Sequence, residues 1–133
     1  MILLDTHVLV WLDEGNPRLG SNALKQINTA FGDSDLAVSA ISFWEISMLV
    51  QKERLEIRME MDVWRKELIE SGLREIPLGG EIAIRSAVLR DFHGDPADRM
   101  IVATALQLSA TLVTADKKIL DWQNIGLKID ARH

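Results

Sequence analysis

Short apolar runs alternate along this chain with longer segments whose apolar residues return every three or four positions, and no other feature narrows the fold as much. The short runs lie at residues 1–4, 36–38, 74–78, 111–114 and 127–129 and read as strands. Between the first two, Val8 to Leu12 open a buried helix that Asn16-Pro17 stops, and Leu24, Ile27 and Phe31 mark a second helix from Ser21 to the turn at Gly32-Asp33-Ser34. Ile41, Trp44, Met48 and Leu49 repeat as an amphipathic helix does, and so do Met61, Trp64 and Leu68, which end at Gly72. Most of these stripes are expected to be core, although part of the Trp44, Met48, Met61 and Trp64 region can instead serve a partner helix or a second copy of the chain. Further helices are predicted over 81–90, from Pro96 through Met100, Ile101, Ala105 and Leu108, and over 116–122. Strands that alternate with helices over the whole length predict an α/β fold, with a parallel sheet covered by helices on both faces. Sites in such folds collect at the carboxyl ends of the strands.

The chain has 133 residues, 47% of them hydrophobic, which suits one domain spanning 1–133 and is short for two. No repeat or linker interrupts it. Cysteine is absent, so thiolate metal sites, disulfides and cysteine nucleophiles are excluded, and oxygen and imidazole remain as metal donors. The first apolar run is broken by Asp5, Thr6 and His7, and no stretch is long enough to cross a bilayer, so a cytoplasmic protein is expected. The net charge of −5 argues against a broad basic surface for nucleic acid. It leaves open an enzyme that holds cations between carboxylates and meets phosphate through them.

Four acids stand where this architecture can gather them. Asp5 and Asp116 follow strands, while Glu45 and Asp98 are placed in the first turns of helices. Carboxylates suit a hard dication such as Mg²⁺ or Mn²⁺. Bringing four of them together without metal is repulsive, so raised pKa values are expected among them. Each also has an ordinary reading. Ser42 to Glu45 fits a capping box; Asp95-Pro96-Ala97-Asp98 fits an N-cap, a proline at N1 and an acid at N3; Asp116 fits a cap. Asp5, between two apolar runs, has no obvious solvated face, and a buried carboxylate must be paired or metal-bound.

The segments MILLDTHVLVWL, VSAISFWEI, HGDPADRMIVATAL and TLVTAD, in this order, resemble the PIN-domain family, and within it the VapC-type toxins. The resemblance covers essentially the whole chain and places the family's acidic quartet on Asp5, Glu45, Asp98 and Asp116. It implies a three-layer α/β/α fold with about five parallel strands. It also implies a Mg²⁺- or Mn²⁺-dependent ribonuclease that acts on RNA, is neutralised by a VapB-type antitoxin, and forms a homodimer. Hydrolysis by water at phosphorus would leave a 5′-phosphate and a 3′-hydroxyl.

Thr6 and Thr114 adjoin strand-end acids and can bond a carboxylate, a water or a phosphate, or can simply cap a turn. Asp95 reads either as an acid that orients the site or as an N-cap. Arg99 reads as the partner of a neighbouring carboxylate in a salt bridge, ahead of a contact to phosphate. His7 and His93 are set aside as ligands because no histidine pair has ligand spacing, and Lys117 reads as solvated. Three other readings compete. A haloacid-dehalogenase-type phosphatase lacks its second aspartate here, a non-catalytic module predicts no stabilisation by metal, and a PIN nuclease of RNA processing differs only in its role.

Overall fold

A computed structural model describes residues 1–133. Five strands, β1 (Ile2–Leu4), β2 (Leu36–Ser39), β3 (Arg74–Ile76), β4 (Thr111–Thr114) and β5 (Lys128–Asp130), form one sheet in the order β3-β2-β1-β4-β5, and every pairing is parallel. The helices are α1 (Thr6–Glu14), α2 (Ser21–Gly32), α3 (Ala40–Gln51), α4 (Met61–Ser71), α5 (Gly80–Ala87), α6 (Pro96–Leu108) and α7 (Lys117–Leu120).

Side chains alternate across the sheet, as the period of two requires. Leu4, Leu36, Val38 and Val113 meet Val8, Leu9, Ile27, Ile46 and Trp64 from α1 to α4 on one face. Leu3, Ala37 and Leu112 meet Ile101, Val102, Ala105 and Ile119 from α6 and α7 on the other. The result is three layers. Leu3, Leu4 and Leu112 are completely buried, each contributing about 2 kcal/mol over an exposed side chain. The central strands are apolar apart from Ser39, Thr111 and Thr114 at their ends, whereas the edge strands carry Arg74, Glu75, Lys128 and Asp130, whose charges discourage pairing with another chain.

β1 lies at the centre, with Ile2 beside Leu36 on one flank and Thr111 on the other. The chain first builds outward through β2 to β3, then returns to place β4 on the opposite side of β1. The strand order thus reverses between β1 and β4, and a crevice opens at their carboxyl ends. Asp5 leaves β1 at this place, held by its N–H donating to Val113 O at 3.0 Å.

Several boundaries differ from the sequence reading. α1 ends one residue before Asn16-Pro17, at Gly15, whose φ of 64° glycine adopts without strain. β3 stops at Ile76 and β5 is shifted by one residue to Lys128–Asp130. α5 ends at Ala87 instead of Arg90 because the carbonyls that would continue it are taken by Arg99. The stripe expected to be core divides: Trp64 is buried, with its ring edge-on to Phe43, but Trp44 is 57% exposed and Met48 is also exposed.

Candidate active site

Asp5 is the N-cap of α1, and its Oδ1 accepts from Thr6 N at 2.8 Å. Its Oδ2 accepts from Thr114 Oγ1 at 2.7 Å, and the residue is only 3% exposed. The Thr114 hydroxyl also accepts from Asp116 N at 3.0 Å, so one side chain at the end of β4 fixes both strand-borne acids. Asp116 in turn N-caps α7 through Lys118 N. Its capping role and its place in the crevice hold together.

Glu45 arrives differently. The expected capping box does not form, because α3 begins at Ala40 with Ser39 as its N-cap, which places Glu45 in the second turn. There it faces α1, where the Thr6 hydroxyl donates to its Oε1. That hydroxyl has one proton to give, so the 2.8 Å contact between Thr6 Oγ1 and the buried Ser42 Oγ has Ser42 as donor. Burial raises the Glu45 pKa; the Thr6 hydrogen bond opposes the shift, and the charges of Asp5 and Asp95 add to it.

Asp98 stands at N3 of α6, behind the N-cap Asp95, whose Oδ1 accepts from Asp98 N at 3.0 Å, and Pro96 at N1. No hydrogen bond from the chain reaches the Asp98 carboxylate. Burial, and then the charges of Asp5, Asp95, Asp116 and Glu45, push its pKa up to about 8. The expectation of raised values thus holds for Glu45 and Asp98.

Asp5, Glu45, Asp98 and Asp116 all line one cavity of about 340 Å³, together with Thr6, Trp11, Arg18 and Arg54. Two sets of donor atoms, which add Asp95 and His93 to three of the lining acids, each lie inside 4.8 Å of one another: Glu45, Asp95 and Asp98, and then His93, Asp98 and Asp116. Asp98 belongs to both. Asp5 belongs to neither and sits behind them, its oxygens turned to Thr6 and Thr114. The donor chemistry fits a divalent cation: carboxylates brought together at a cost in repulsion, one of them protonated near neutrality, beside a buried imidazole nitrogen, His93 Nε2, that has no hydrogen-bond partner.

Arg99 corrects the sequence reading. It pairs with no carboxylate; its guanidinium donates to the carbonyls of Ser86, Ala87, Leu89, Phe92 and His93. It therefore ties the end of α5 and the following loop to α6, and that loop delivers His93 to within 3.1 Å of Asp98 Oδ2. His7 lines the same cavity, but its Nε2 accepts from Ala115 N at 3.0 Å and its Nδ1 lies 3.7 Å from Asp5 Oδ2. Sequence reasoning missed Arg18 and Arg54, which come from separate loops to the rim of the cavity and form no ion pair. Nothing in a mixed-charge segment marks either one. For His93, the nearness of Asp98 in the same loop–helix junction was the available signal.

The chain is similar to known proteins over most of its length. Ribonuclease VapC22 of Mycobacterium tuberculosis is 35% identical over 119 residues, covering 89% of this chain and 88% of the relative. Among solved structures, FitAcB from Neisseria gonorrhoeae superposes with a TM-score of 0.63 at 26% identity, over 89% of each chain. VapBC2 from Rickettsia felis, bound to a DNA fragment from its promoter, gives a TM-score of 0.70 at 22% identity over 98% of this chain and 100% of the other, a likeness of fold. The PIN domain family matches residues 2–123, and the chain belongs to that family.

Proposed function

We propose that this protein is a divalent-metal-dependent endoribonuclease, the toxin of a type II toxin–antitoxin pair, with Asp5, Glu45, Asp98 and Asp116 as its catalytic and metal-holding residues. The observation that carries the reading is the convergence of these four acids, from β1, α3, α6 and the end of β4, on one cavity at the point where the strand order reverses. The 35% identity to a ribonuclease and the fold shared with toxin–antitoxin complexes support it.

Glu45, Asp98 and Asp116 offer the oxygens that hold the cation, with Asp95 beside them. When bound, Mg²⁺ or Mn²⁺ polarises a phosphoryl oxygen and makes water a better nucleophile near neutral pH. Asp5 and Thr114 fix the strand-end side of the site, and Thr6 orients Glu45. Arg18 and Arg54, on the cavity rim and unpaired, are suited to the phosphates of the RNA strand. In an otherwise acidic protein they bring the substrate backbone toward the carboxylates without a broad basic surface.

A VapB-type antitoxin and a second copy of the chain are the proposed protein partners, and the exposed Trp44 and Met48 on α3 support a protein-binding surface next to Glu45. No helix is long and apolar enough to cross a membrane, and we place the protein in the cytoplasm, as one domain over 1–133.

The test is cleavage of a structured RNA pool by purified protein with Mg²⁺, Mn²⁺ or EDTA, alongside folded Asp5→Asn and Asp98→Asn variants. Metal-dependent cutting that is lost in both variants and leaves 5′-phosphate ends is expected. A 2′,3′-cyclic phosphate product would overturn the mechanism. No cutting at all, with a melting temperature indifferent to metal, would favour a non-catalytic binding module.

A further inference from the structure

We infer that His93 is a nitrogen ligand within the cation site, and that it makes the His93–Asp98–Asp116 end of the acidic cluster selective for a first-row transition dication such as Mn²⁺ over Mg²⁺. The inference rests on the reading of this cluster as a metal site and adds to it a ligand that the acidic quartet does not contain.

His93 Nε2 is buried, and it is the only buried side-chain nitrogen or oxygen in the chain without a hydrogen-bond partner. Native interiors rarely leave such an atom unsatisfied unless an ion or water completes it. Asp98 Oδ2 lies 3.1 Å away, yet the approach does not meet hydrogen-bond geometry. The nitrogen and the oxygen thus stand side by side, as two ligands of one ion do, instead of head-on. In an octahedron with bonds of about 2.1 Å, adjacent ligands are about 3 Å apart and opposite ones about 4 Å. The His93, Asp98 and Asp116 donors lie within 4.8 Å of one another, close to that span.

The ring is also held in place. Arg99 binds the carbonyls of Phe92 and His93; the Phe92 ring lies 4.5 Å from the His93 ring and 5.1 Å from that of Trp122, whose Nε1 donates to Arg90 O. A ligand fixed by its own supports loses little freedom when it binds. Neither of the other two histidines is placed to substitute, since His7 Nε2 is occupied by Ala115 N and His133 is exposed near Asp130. Imidazole favours transition metals, whereas a purely carboxylate set suits Mg²⁺. Glu45, Asp95 and Asp98 form that all-oxygen set at the other end, with Asp98 common to both.

The test adds Mn²⁺ to the purified full-length protein and looks for nitrogen coupling to the metal by pulsed electron paramagnetic resonance. Coupling is expected in the unmodified protein, retained in His133→Gln and lost in His93→Gln. Calorimetric titration of His93→Gln should show Mn²⁺ affinity weakened about tenfold and Mg²⁺ affinity changed less than about twofold. Absence of coupling in the unmodified protein at saturating Mn²⁺ would overturn the inference, as would unchanged Mn²⁺ affinity in a folded His93→Gln. If that variant does not fold, ¹⁵N-histidine spectra of the unmodified protein decide the matter. A buried ring nitrogen broadened by stoichiometric Mn²⁺, and still broadened in His7→Gln, upholds the assignment, and an unaffected one sinks it. Failure to cleave RNA with the coupling present would count against the nuclease reading alone. Cleavage with no coupling would count against the histidine alone.

Discussion

The acids that come from strand ends and those that come from helices are held in opposite ways. Asp5 and Asp116 receive donors from the chain itself: Thr6 N and Thr114 Oγ1 for the first, Lys118 N for the second. Their oxygens have hydrogen-bond donors before any ligand arrives. Glu45 has one hydroxyl from Thr6, Asp98 has no donor, and both are pushed toward the protonated form. The first pair therefore acts as a finished frame, while the second stores the electrostatic need that a cation satisfies. A rigid side and a hungry side in one cavity explain how a site can be preorganised in shape yet depend on metal for stability.

The largest effect that separates the two sides is on catalysis. Asp98→Asn, which retains the shape and removes the charge, is expected to lower metal-dependent RNA cleavage by at least about 10²-fold, or roughly 3 kcal/mol of barrier. Its metal-free melting temperature should stay at or above that of the parent. A variant that loses activity only because it unfolds would break the comparison. Next in size is the response to ligand: with metal at about 100 times its Kd, mass action adds about 2.7 kcal/mol, seen as a melting shift on the order of 10 °C. Asp98→Asn should abolish most of that shift in a thermal scan. A shift that survives it intact would place the cation elsewhere.

The pH dependence sharpens the contrast further. In the unfolded chain Asp98 titrates near 3.9, and in the folded, metal-free protein at about 8. Between these values the folded state holds the extra proton, so the contribution of Asp98 to stability is fully present below about pH 4 and is lost as pH rises toward 8. Glu45 shifts in the same direction. Melting in EDTA at intervals across that range should show a downward slope that Asp98→Asn flattens; a slope unchanged by the substitution would place its origin in other groups. The smallest effect concerns the frame. Thr114→Val removes the donor to Asp5 and the acceptor for Asp116 N, and should cost about 1–3 kcal/mol by chemical denaturation while weakening metal affinity, through Asp116, far less than Asp98→Asn does. A large loss of metal affinity instead would show that the two sides are not separate.

The centre of the sheet and most helices were legible because β1, β2 and β4 are short, mostly apolar runs and the helices keep their stripes, as Leu3 and Leu112 or Ile101 and Ala105 illustrate, whereas the charged edge strands β3 and β5 were legible only in outline. Asp5 was legible because an acid with apolar neighbours on both sides must be buried. Glu45 was assigned to the right cavity by resemblance but to the wrong local role. The Ser42 spacing imitates a capping box, while the true cap, Ser39, is hidden in the strand before it. Arg99 was misread for a related reason. Adjacent carboxylates make a salt bridge plausible in one dimension, but its five acceptors are backbone carbonyls, and these carry no signal in the sequence. His93 was set aside for want of a second histidine, although its companions are carboxylates.

The grip of Arg99 also bears on how the loop between α5 and α6 can change. A clasp that holds only carbonyl oxygens is indifferent to which side chains those residues carry. Substitutions at the exposed Arg90, or of the exposed Asp91 by Asn or Gly, which tolerate its φ of 56°, leave the anchoring atoms where they are. The loop can therefore vary in what it shows to a bound strand while its path stays constant. On the proposed nuclease reading, substrate preference can be rewritten there without rebuilding the fold.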